Sequence, residues 1–236
     1  MIEDGDFDIP SVYCADTTGE AIARHGGEVF HLKVEASRIP SAASNVIARK
    51  NPGTAAKVVV CAHIDTKETT PGAIDNASGI ATLLLLAELM KDYEGPLGIE
   101  ITAINGEDNY SAGGEMDYLR RYSDRLPEGL FAVNIDAAGY IEGKTCLSFY
   151  NLPPGIEAKA REVIESNPGL MEGFQWYQSD HMVFVQAGRP AIAVTSDKFV
   201  ELSATITHTP KDTVDIVDTG KLVELAAALN TLIRTL

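Results

Sequence analysis

The chain has 236 residues, of which 45% are hydrophobic and 22% charged, a balance typical of a folded globular protein. This length lies within the range of one α/β domain. With 19 basic and 34 acidic residues the formal net charge is −15, which disfavours binding to nucleic acid or to an anionic membrane surface. The longest apolar stretch, Gly79 to Met90, is about half of the roughly 20 residues that a membrane span needs. We therefore expect a soluble protein with neither nucleic acid nor membrane as a partner.

The cysteines and the N-terminus bear on the cellular compartment. Cys14, Cys61 and Cys146 form an odd, sparse set without CxxC spacing, so the sequence predicts neither a disulfide framework nor a cysteine zinc site. Asp4 and Asp6 interrupt any signal-peptide pattern at the start of the chain. The expected location is the cytoplasm, or outside it if the chain is part of a longer protein that begins with a leader.

The first 50 residues differ in pattern from the rest and predict a small N-terminal segment. The turn-forming sequence Asn51-Pro52-Gly53 favours a boundary, which divides the chain into residues 1–50 and a main domain of residues 51–236. The elements expected in the segment are a short helix that Asp16 begins and strands at Ile9–Cys14, Val29–Glu35 and Ser44–Arg49.

In the main domain, short apolar runs alternate with helical patterns. This alternation predicts an α/β fold of three layers, α/β/α, in which helices cover both faces of a mostly parallel central sheet. The expected strands are Lys57–Ala62, Ile99–Ile104, Phe131–Ile135 and Pro190–Thr195. The expected helices are Ala77–Tyr93, Gly113–Tyr122, Gly155–Glu165, Asp180–Gln186 and Thr219–Arg234.

Polar side chains follow three of these strands at the point where each strand ends. His63 and Asp65 follow the first strand, the adjacent Glu107 and Asp108 follow the second, and Asp136 follows the third. Because the carboxyl ends of parallel strands meet at one edge, where α/β proteins place their sites, we expect these side chains to lie close together.

Two loop residues extend this set. Asp75 lies in a turn-rich loop before a strongly apolar helix, and His208 lies in a late loop. Taken singly, a strand-end aspartate is usually a solvated or capping residue. Together, two imidazoles and up to four carboxylates without thiolates suit zinc, with manganese or cobalt as substitutes. Carboxylates crowded at one edge repel one another unless cations neutralise them, so the composition favours two metal ions.

These residues occur in an ordered series of motifs that resembles the co-catalytic zinc peptidase family, which includes bacterial leucyl aminopeptidases, glutamate carboxypeptidase and glutaminyl cyclases. The resemblance spans Ser44 to the C-terminus and implies the zinc-peptidase, phosphorylase/hydrolase-like fold. Residues 1–50 resemble the closing part of the protease-associated insert found in some members. The motifs are Ala62-His63-Ile64-Asp65, Gly72-Ala73-Ile74-Asp75-Asn76-Ala77-Ser78-Gly79, Gly106-Glu107-Asp108, Asn134-Ile135-Asp136, Ser179-Asp180-His181 and His208-Thr209-Pro210-Lys211-Asp212-Thr213.

The resemblance implies a ligand for each position of two zinc sites. His63 and Asp136 would hold one ion, Asp108 and His208 the other, and Asp75 would bridge both. Many family members have glutamate where Asp108 stands, and the shorter aspartate predicts a weaker second site. Aspartate is nevertheless a competent zinc ligand.

The resemblance also implies catalytic roles. Glu107 would be the general base that takes a proton from the attacking water. Asp65 should accept a hydrogen bond from the ring of His63. The peptide bond between Asp75 and Asn76 is expected to be cis.

The expected function is that of an exopeptidase, an aminopeptidase that hydrolyses the N-terminal peptide bond of a peptide or aminoacyl substrate with a free N-terminus. The alternatives are aminoacyl transfer of the glutaminyl cyclase type, a carboxypeptidase of the glutamate carboxypeptidase type, and a non-catalytic binding module on the same fold. The candidates for substrate contact, with core packing and helix capping as the alternative explanation, are Trp176, Tyr177, Asp180 and His181.

Overall fold

The computed structural model divides the chain into two units, residues 1–42 and 43–236. In the first unit, helix α1 (Asp16–Ala23) begins at the expected residue, and none of its side chains is buried. The predicted division at residue 50 stays a prediction. The residues that the structure describes are 14–33, 35, 37, 40–108, 113–124 and 129–236.

Three strands were expected in the N-terminal segment. The one at Ser44–Arg49 is present, within two residues of its expected bounds, as Val46–Lys50, and the other two have different outcomes. Of the strand predicted at Ile9–Cys14, all but Cys14 lies outside the described residues. The strand predicted at Val29–Glu35 is wrong, because its described residues form no strand and Val29 is fully exposed. An apolar run forms a strand only where a neighbour accepts its backbone hydrogen bonds, and the described part of the first unit provides none.

The second unit is built on a seven-stranded sheet. Its strands are β1 (Val46–Lys50), β2 (Lys57–His63), β3 (Gly98–Ile104), β4 (Gly129–Ile135), β5 (Thr145–Tyr150), β6 (Leu170–Glu172) and β7 (Ala191–Ser196). Their order across the sheet is β1-β3-β2-β4-β7-β5-β6. The neighbours β3, β2, β4 and β7 are parallel, whereas β1 and β5 run antiparallel to β3 and β7. The mostly parallel sheet is confirmed, and it contains β5 and β6 in addition to the predicted strands.

Helices cover both faces of this sheet, as predicted. They are α2 (Ser78–Met90), α3 (Gly113–Tyr122), α4 (Pro154–Ser166), α5 (His181–Gln186), α6 (Phe199–Thr205) and α7 (Thr219–Arg234). Each of the five predicted main-domain helices is present within a few residues of its expected bounds. The sequence did not predict the short helix α6.

The central strand β2 explains the three layers. Its side chains point alternately to the two faces of the sheet. Val58, Val60 and Ala62 pack in the core formed with α2, α4 and α7, while Val59 and Cys61 pack in the core formed with α3 and α5. Because both faces are buried, β2 has an apolar residue at every position from Val58 to Ala62.

Residues Ala73–Met90, which include α2, are long and apolar enough to span a membrane by length and composition alone. Half of this stretch is buried inside the domain. Leu83, Leu86 and Met90 belong to the core that α2 shares with β2 and α7. The apolar character of α2 is thus explained by packing within this fold.

Truncation of Leu86 tests this packing. Leu86 is fully buried, so Leu86→Ala should lower the free energy of unfolding by about 2–5 kcal/mol in urea denaturation, because it leaves a cavity. Leu84→Ala is the matched control on the same helix, since Leu84 is 68% exposed. The control should change stability by less than about 0.5 kcal/mol. Equal losses in the two variants would contradict this burial of α2.

Candidate metal centre

The predicted site residues meet at the carboxyl edge of the three central strands. His63 is the last residue of β2, Asp136 follows β4 directly, and Glu107 and Asp108 follow β3. From β2 the chain goes to β3 on one side of it and then crosses to β4 on the other side. This edge is therefore a topological switch point, where the loops separate and leave a crevice for a site.

Asp75 reaches the same edge from a distorted turn before α2. It lies in a single π-helical turn, Ala73–Ala77, in which Asp75 and Asn76 have non-helical dihedral angles. The Asp75–Asn76 peptide bond is cis, as expected. The Asn76 amide donates to the carbonyl of Ile135 (2.8 Å) and accepts from the backbone N–H of Gly79 (3.1 Å). These bonds attach the turn both to the end of β4 and to the start of α2.

The buried carboxylate of Asp212 supports the turn that carries Asp75. The two carboxylate oxygens of Asp212 accept hydrogen bonds from the backbone N–H groups of Ile74 (2.6 Å) and Asp75 (3.1 Å). The backbone carbonyl of Asp212 accepts a third from Ala73 (3.3 Å). Asp212 is fully buried and lies four residues after His208, so one loop both supplies an imidazole and supports the Asp75 turn. The sequence placed Asp212 in a motif but did not predict this contact.

Two clusters of atoms that could hold a metal ion share Asp75. In the first, Nε2 of His63 lies 3.0 Å from Oδ1 of Asp75 and 3.6 Å from Oδ1 of Asp136. In the second, Nε2 of His208 lies 3.2 Å from Oδ2 of Asp75 and 2.8 Å from Oδ1 of Asp108. Within each cluster the ligand atoms lie within 4.8 Å of one another. The five predicted ligand residues are therefore together, and each oxygen of Asp75 faces a different imidazole.

The chemistry of this donor set fits divalent metal ions. Among the described residues, Nε2 of His63 and Oδ2 of Asp108 are buried yet have no hydrogen-bond partner, although His63 Nε2 is close to Asp75. Buried polar atoms that are not hydrogen-bonded are costly. Donor atoms that converge in this way could hold a cation between them. Imidazole and carboxylate donors together suit zinc.

Glu107 lies beside the first cluster. Its Oε2 is 4.0 Å from Nε2 of His63, and 21% of the side chain is exposed. Burial, with the negative charge of Asp136 as the next cause, raises the pKa of Glu107 to about 8. A carboxylate with this pKa is able to exchange protons near neutral pH.

Asp65 contacts the site through two different groups. Its backbone carbonyl accepts a hydrogen bond from Nδ1 of His63 (3.0 Å), whereas the nearest carboxylate oxygen is 3.9 Å from that nitrogen. Its carboxylate accepts from the backbone N–H groups of Gly106 (2.7 Å) and Glu107 (3.2 Å). Asp65 thus accepts the bond from the His63 ring through its carbonyl, while its side chain positions the backbone of Glu107.

The four predicted substrate-contact residues differ in accessibility. The side chain of Tyr177 is exposed, Trp176 is nearly buried, and Asp180 and His181 are fully buried. Nε2 of His181 donates to the carbonyl of Trp176 (3.0 Å). Burial and the neighbouring carboxyl of Glu115 raise the pKa of Asp180 well above its ordinary value. Tyr177 alone of these four presents a large surface to solvent, and a substrate role for all four stays a prediction.

Comparison with known proteins identifies the family. Residues 45–233 match the model of peptidase family M28. The chain belongs to this family. The family predicted from the motifs is therefore confirmed. Among M28-like relatives, aminopeptidase YwaD of Bacillus subtilis (strain 168) is 26% identical over 227 residues, which cover 91% of this chain and 48% of that protein.

Solved structures share the fold of this M28 chain. A zinc aminopeptidase from Bacillus subtilis, BSAP, matches with a TM-score of 0.70 and 24% identity over 81% of this chain and 49% of its own. A glutaminyl cyclase from Fimbriiglobus ruber matches with a TM-score of 0.68 and 20% identity over 81% and 75%. The M28 chain spans about half the length of these two aminopeptidases.

Removal of the Asp212 carboxylate tests its support of Asp75. Asp212→Ala leaves the buried N–H groups of Ile74 and Asp75 without their acceptor, so we expect zinc affinity to fall about 10–100-fold in a titration against a competing chelator. Asp215→Ala is the control, because it removes the same charge from an exposed position nearby. A similar affinity for the two variants would contradict the supporting role.

The pH dependence of stability tests the raised pKa values of His208 and Glu107. Hydrogen bonds to Asp108 and Asp75 raise the pKa of His208 from 6.5 to about 10, and burial raises that of Glu107 from 4.5 to about 8. A raised folded-state pKa contributes stability that is complete below the unfolded value and is lost as pH rises through the folded value. With metal chelated, thermal scans should show Tm falling from about pH 5 to about pH 10. Glu107→Gln should reduce the fall in Tm below pH 8, because it removes the group that titrates there. A wild-type Tm that rises over this pH range would refute the raised pKa values.

Proposed function

We propose that this chain is the catalytic domain of a zinc-dependent aminopeptidase that hydrolyses N-terminal peptide bonds. The observation that carries the proposal is the pair of imidazole–carboxylate clusters that share Asp75. Membership of peptidase family M28 supports peptide hydrolysis, and the similarity to aminopeptidase YwaD supports action at the N-terminus.

Two zinc ions are the proposed cofactors, with manganese or cobalt as substitutes. His63 and Asp136 would hold one ion, Asp108 and His208 the other, and Asp75 would contact both through its two oxygens. When bound, the ions would supply Lewis-acid chemistry that polarises the scissile carbonyl and acidifies water. The short contact between Asp108 and His208, 2.8 Å between Oδ1 and Nε2, supports aspartate as a ligand where many relatives have glutamate.

Glu107 is the proposed general base. It accepts a proton from the attacking water on its carboxylate and later donates this proton to the leaving amine. Two observations support this role. Its raised pKa is suited to proton exchange, and Asp65 fixes its backbone through the 3.2 Å hydrogen bond to the Glu107 N–H.

The proposed substrate is a peptide or aminoacyl compound with a free N-terminus. The similarity to aminopeptidase YwaD supports a substrate with a free N-terminus rather than a free C-terminus. Tyr177 is exposed and is the proposed substrate contact, whereas Trp176 is buried against His181. Asp180 and His181 would act through these neighbours, since both side chains are buried.

Substitution of Glu107 tests the base. Glu107→Gln keeps the size of the side chain but cannot accept the proton, so kcat should fall at least ~100-fold while zinc content is unchanged. Asp75→Ala should instead lower the zinc content itself, because it removes a ligand from both clusters. Glu94→Gln, at an exposed position, controls for the loss of one negative charge. Near-normal turnover of Glu107→Gln with zinc bound would overturn this assignment.

A substrate panel on the zinc-loaded protein separates the alternatives. Release of amine from aminoacyl anilides, with no reaction of N-acetylated analogues, is expected for an aminopeptidase. Pyroglutamate formation from N-terminal glutamine without anilide hydrolysis would overturn the proposal in favour of a cyclase. Release of C-terminal residues from N-blocked peptides would indicate a carboxypeptidase. A lack of all three reactions with zinc bound would indicate a binding module.

A further inference from the structure

A single lysine binds the loop that follows Asp136. Nζ of Lys221 lies 2.5 Å from the carbonyl oxygen of Tyr140, and 3.0, 3.3 and 2.9 Å from those of the next three residues, Ile141, Glu142 and Gly143. An ammonium group has three N–H donors, so the four oxygens share three protons and one contact is long. A cation surrounded by backbone carbonyls resembles the sites in which proteins bind potassium.

The position of Lys221 in its helix is electrostatically unusual. It is the third residue of α7, whose first turn carries a partial positive charge and disfavours a cation. Asp218 caps this helix in the ordinary way, by accepting from the N–H of Gly220 (2.8 Å). Lys221 therefore departs from the local rule, and the four carbonyl oxygens supply the compensating negative potential.

The same helix start binds the loop at further points. The N–H of Asp218 donates to the carbonyl of Gly139 (2.8 Å), and the N–H of Ile141 donates to the carbonyl of Ile216 (2.9 Å). Five consecutive carbonyls, those of residues 139–143, thus accept from residues 218 and 221. Gly139 has φ of 85°, and a Cβ atom there would lie 2.4 Å from the side chain of Leu222, so the loop and α7 are in close contact.

This contact joins two segments that carry candidate metal ligands. The loop begins directly after Asp136, and the segment leading into α7 begins after His208. Below the loop, Tyr140 packs in a small apolar cluster with Ile74, the neighbour of Asp75. The position of this loop therefore affects Asp136, which precedes it, and the turn that carries Asp75.

We propose that Lys221 is a positioning residue whose ammonium group fills a monovalent-cation site made of the four carbonyls of residues 140–143. It fixes the loop after Asp136 against the segment that carries His208. Truncation of the lysine would leave a site for free ammonium or potassium. The effect on bound zinc rests on the proposed function, whereas the cation site does not.

Cation rescue of the chelator-treated full chain tests the site. Lys221→Met keeps most of the aliphatic stem and should lower Tm, and ammonium or potassium chloride should restore most of that loss. Tetramethylammonium chloride at equal ionic strength should not, because it has no N–H donor and is too large. Lys144→Met is the matched control, since it removes a charge next to the loop and leaves Lys221 in place. Equal Tm values for the two variants, or equal effects of the three salts, would overturn the proposal.

The wild-type protein provides a test that does not depend on the variant folding. Under native reductive methylation followed by mass spectrometry, Lys221 should react at least ~10-fold more slowly than Lys144, a factor equivalent to about 1.4 kcal/mol. Equal rates would refute the contact.

Zinc release to a chelator tests the positioning role separately. It should be faster from Lys221→Met than from Lys144→Met, and equal release despite cation rescue would overturn that role. If the chain binds no zinc, the proposed function fails, yet rescue and slow methylation are still expected.

Discussion

The carboxylate of Asp75, shared between two imidazoles, is the contact on which the centre depends. Although burial opposes its ionisation, the neighbouring imidazoles of His208 and His63 hold the pKa of Asp75 below its ordinary value. The same carboxylate remains oriented because Asp212 accepts from the backbone on its N-terminal side and Asn76 attaches the other side to β4. Strand, turn and late loop are therefore needed together to place one side chain.

The fold supplies this arrangement through the order of its strands. β2 lies between β3 and β4, so residues distant in sequence end at one edge. The large core that β2, α2 and α7 share fixes the strands, while the small cluster of Ile74, Ala137, Tyr140 and Leu202 packs beneath the loops. Two residues of this small cluster are sequence neighbours of candidate ligands: Ile74 precedes Asp75, and Ala137 follows Asp136. The loop after Asp136 contacts both clusters, since Ala138 belongs to the large core and Ala137 and Tyr140 to the small one.

The sequence predicted the features that follow from a local pattern of residues along the chain. Buried parallel strands are continuous apolar runs, which located β2, β3 and β4, and polar residues after these strands located His63, Asp108 and Asp136. The loop residues Asp75 and His208 were added from the ordered motifs. β5 was missed because Thr145 and Ser148 interrupt its apolar pattern, and both are buried within the sheet. The supports provided by Asp212 and Lys221 could not be predicted, because their partners are backbone groups that every residue carries. The strand at Val29–Glu35 was wrong because a pattern does not show whether a pairing partner exists.

Asp65 links the ends of β2 and β3 beside the candidate metal centre. Its carbonyl orients the imidazole of His63 on β2, and its carboxylate accepts a hydrogen bond from the backbone N–H of Glu107, which follows β3. One residue thus contacts both a candidate metal ligand, His63, and the backbone of the candidate proton acceptor, Glu107. These bonds cross from the end of β2 to the residues after β3, so a shift of β2 along β3 would strain the contacts that Gly106 and Glu107 make with Asp65.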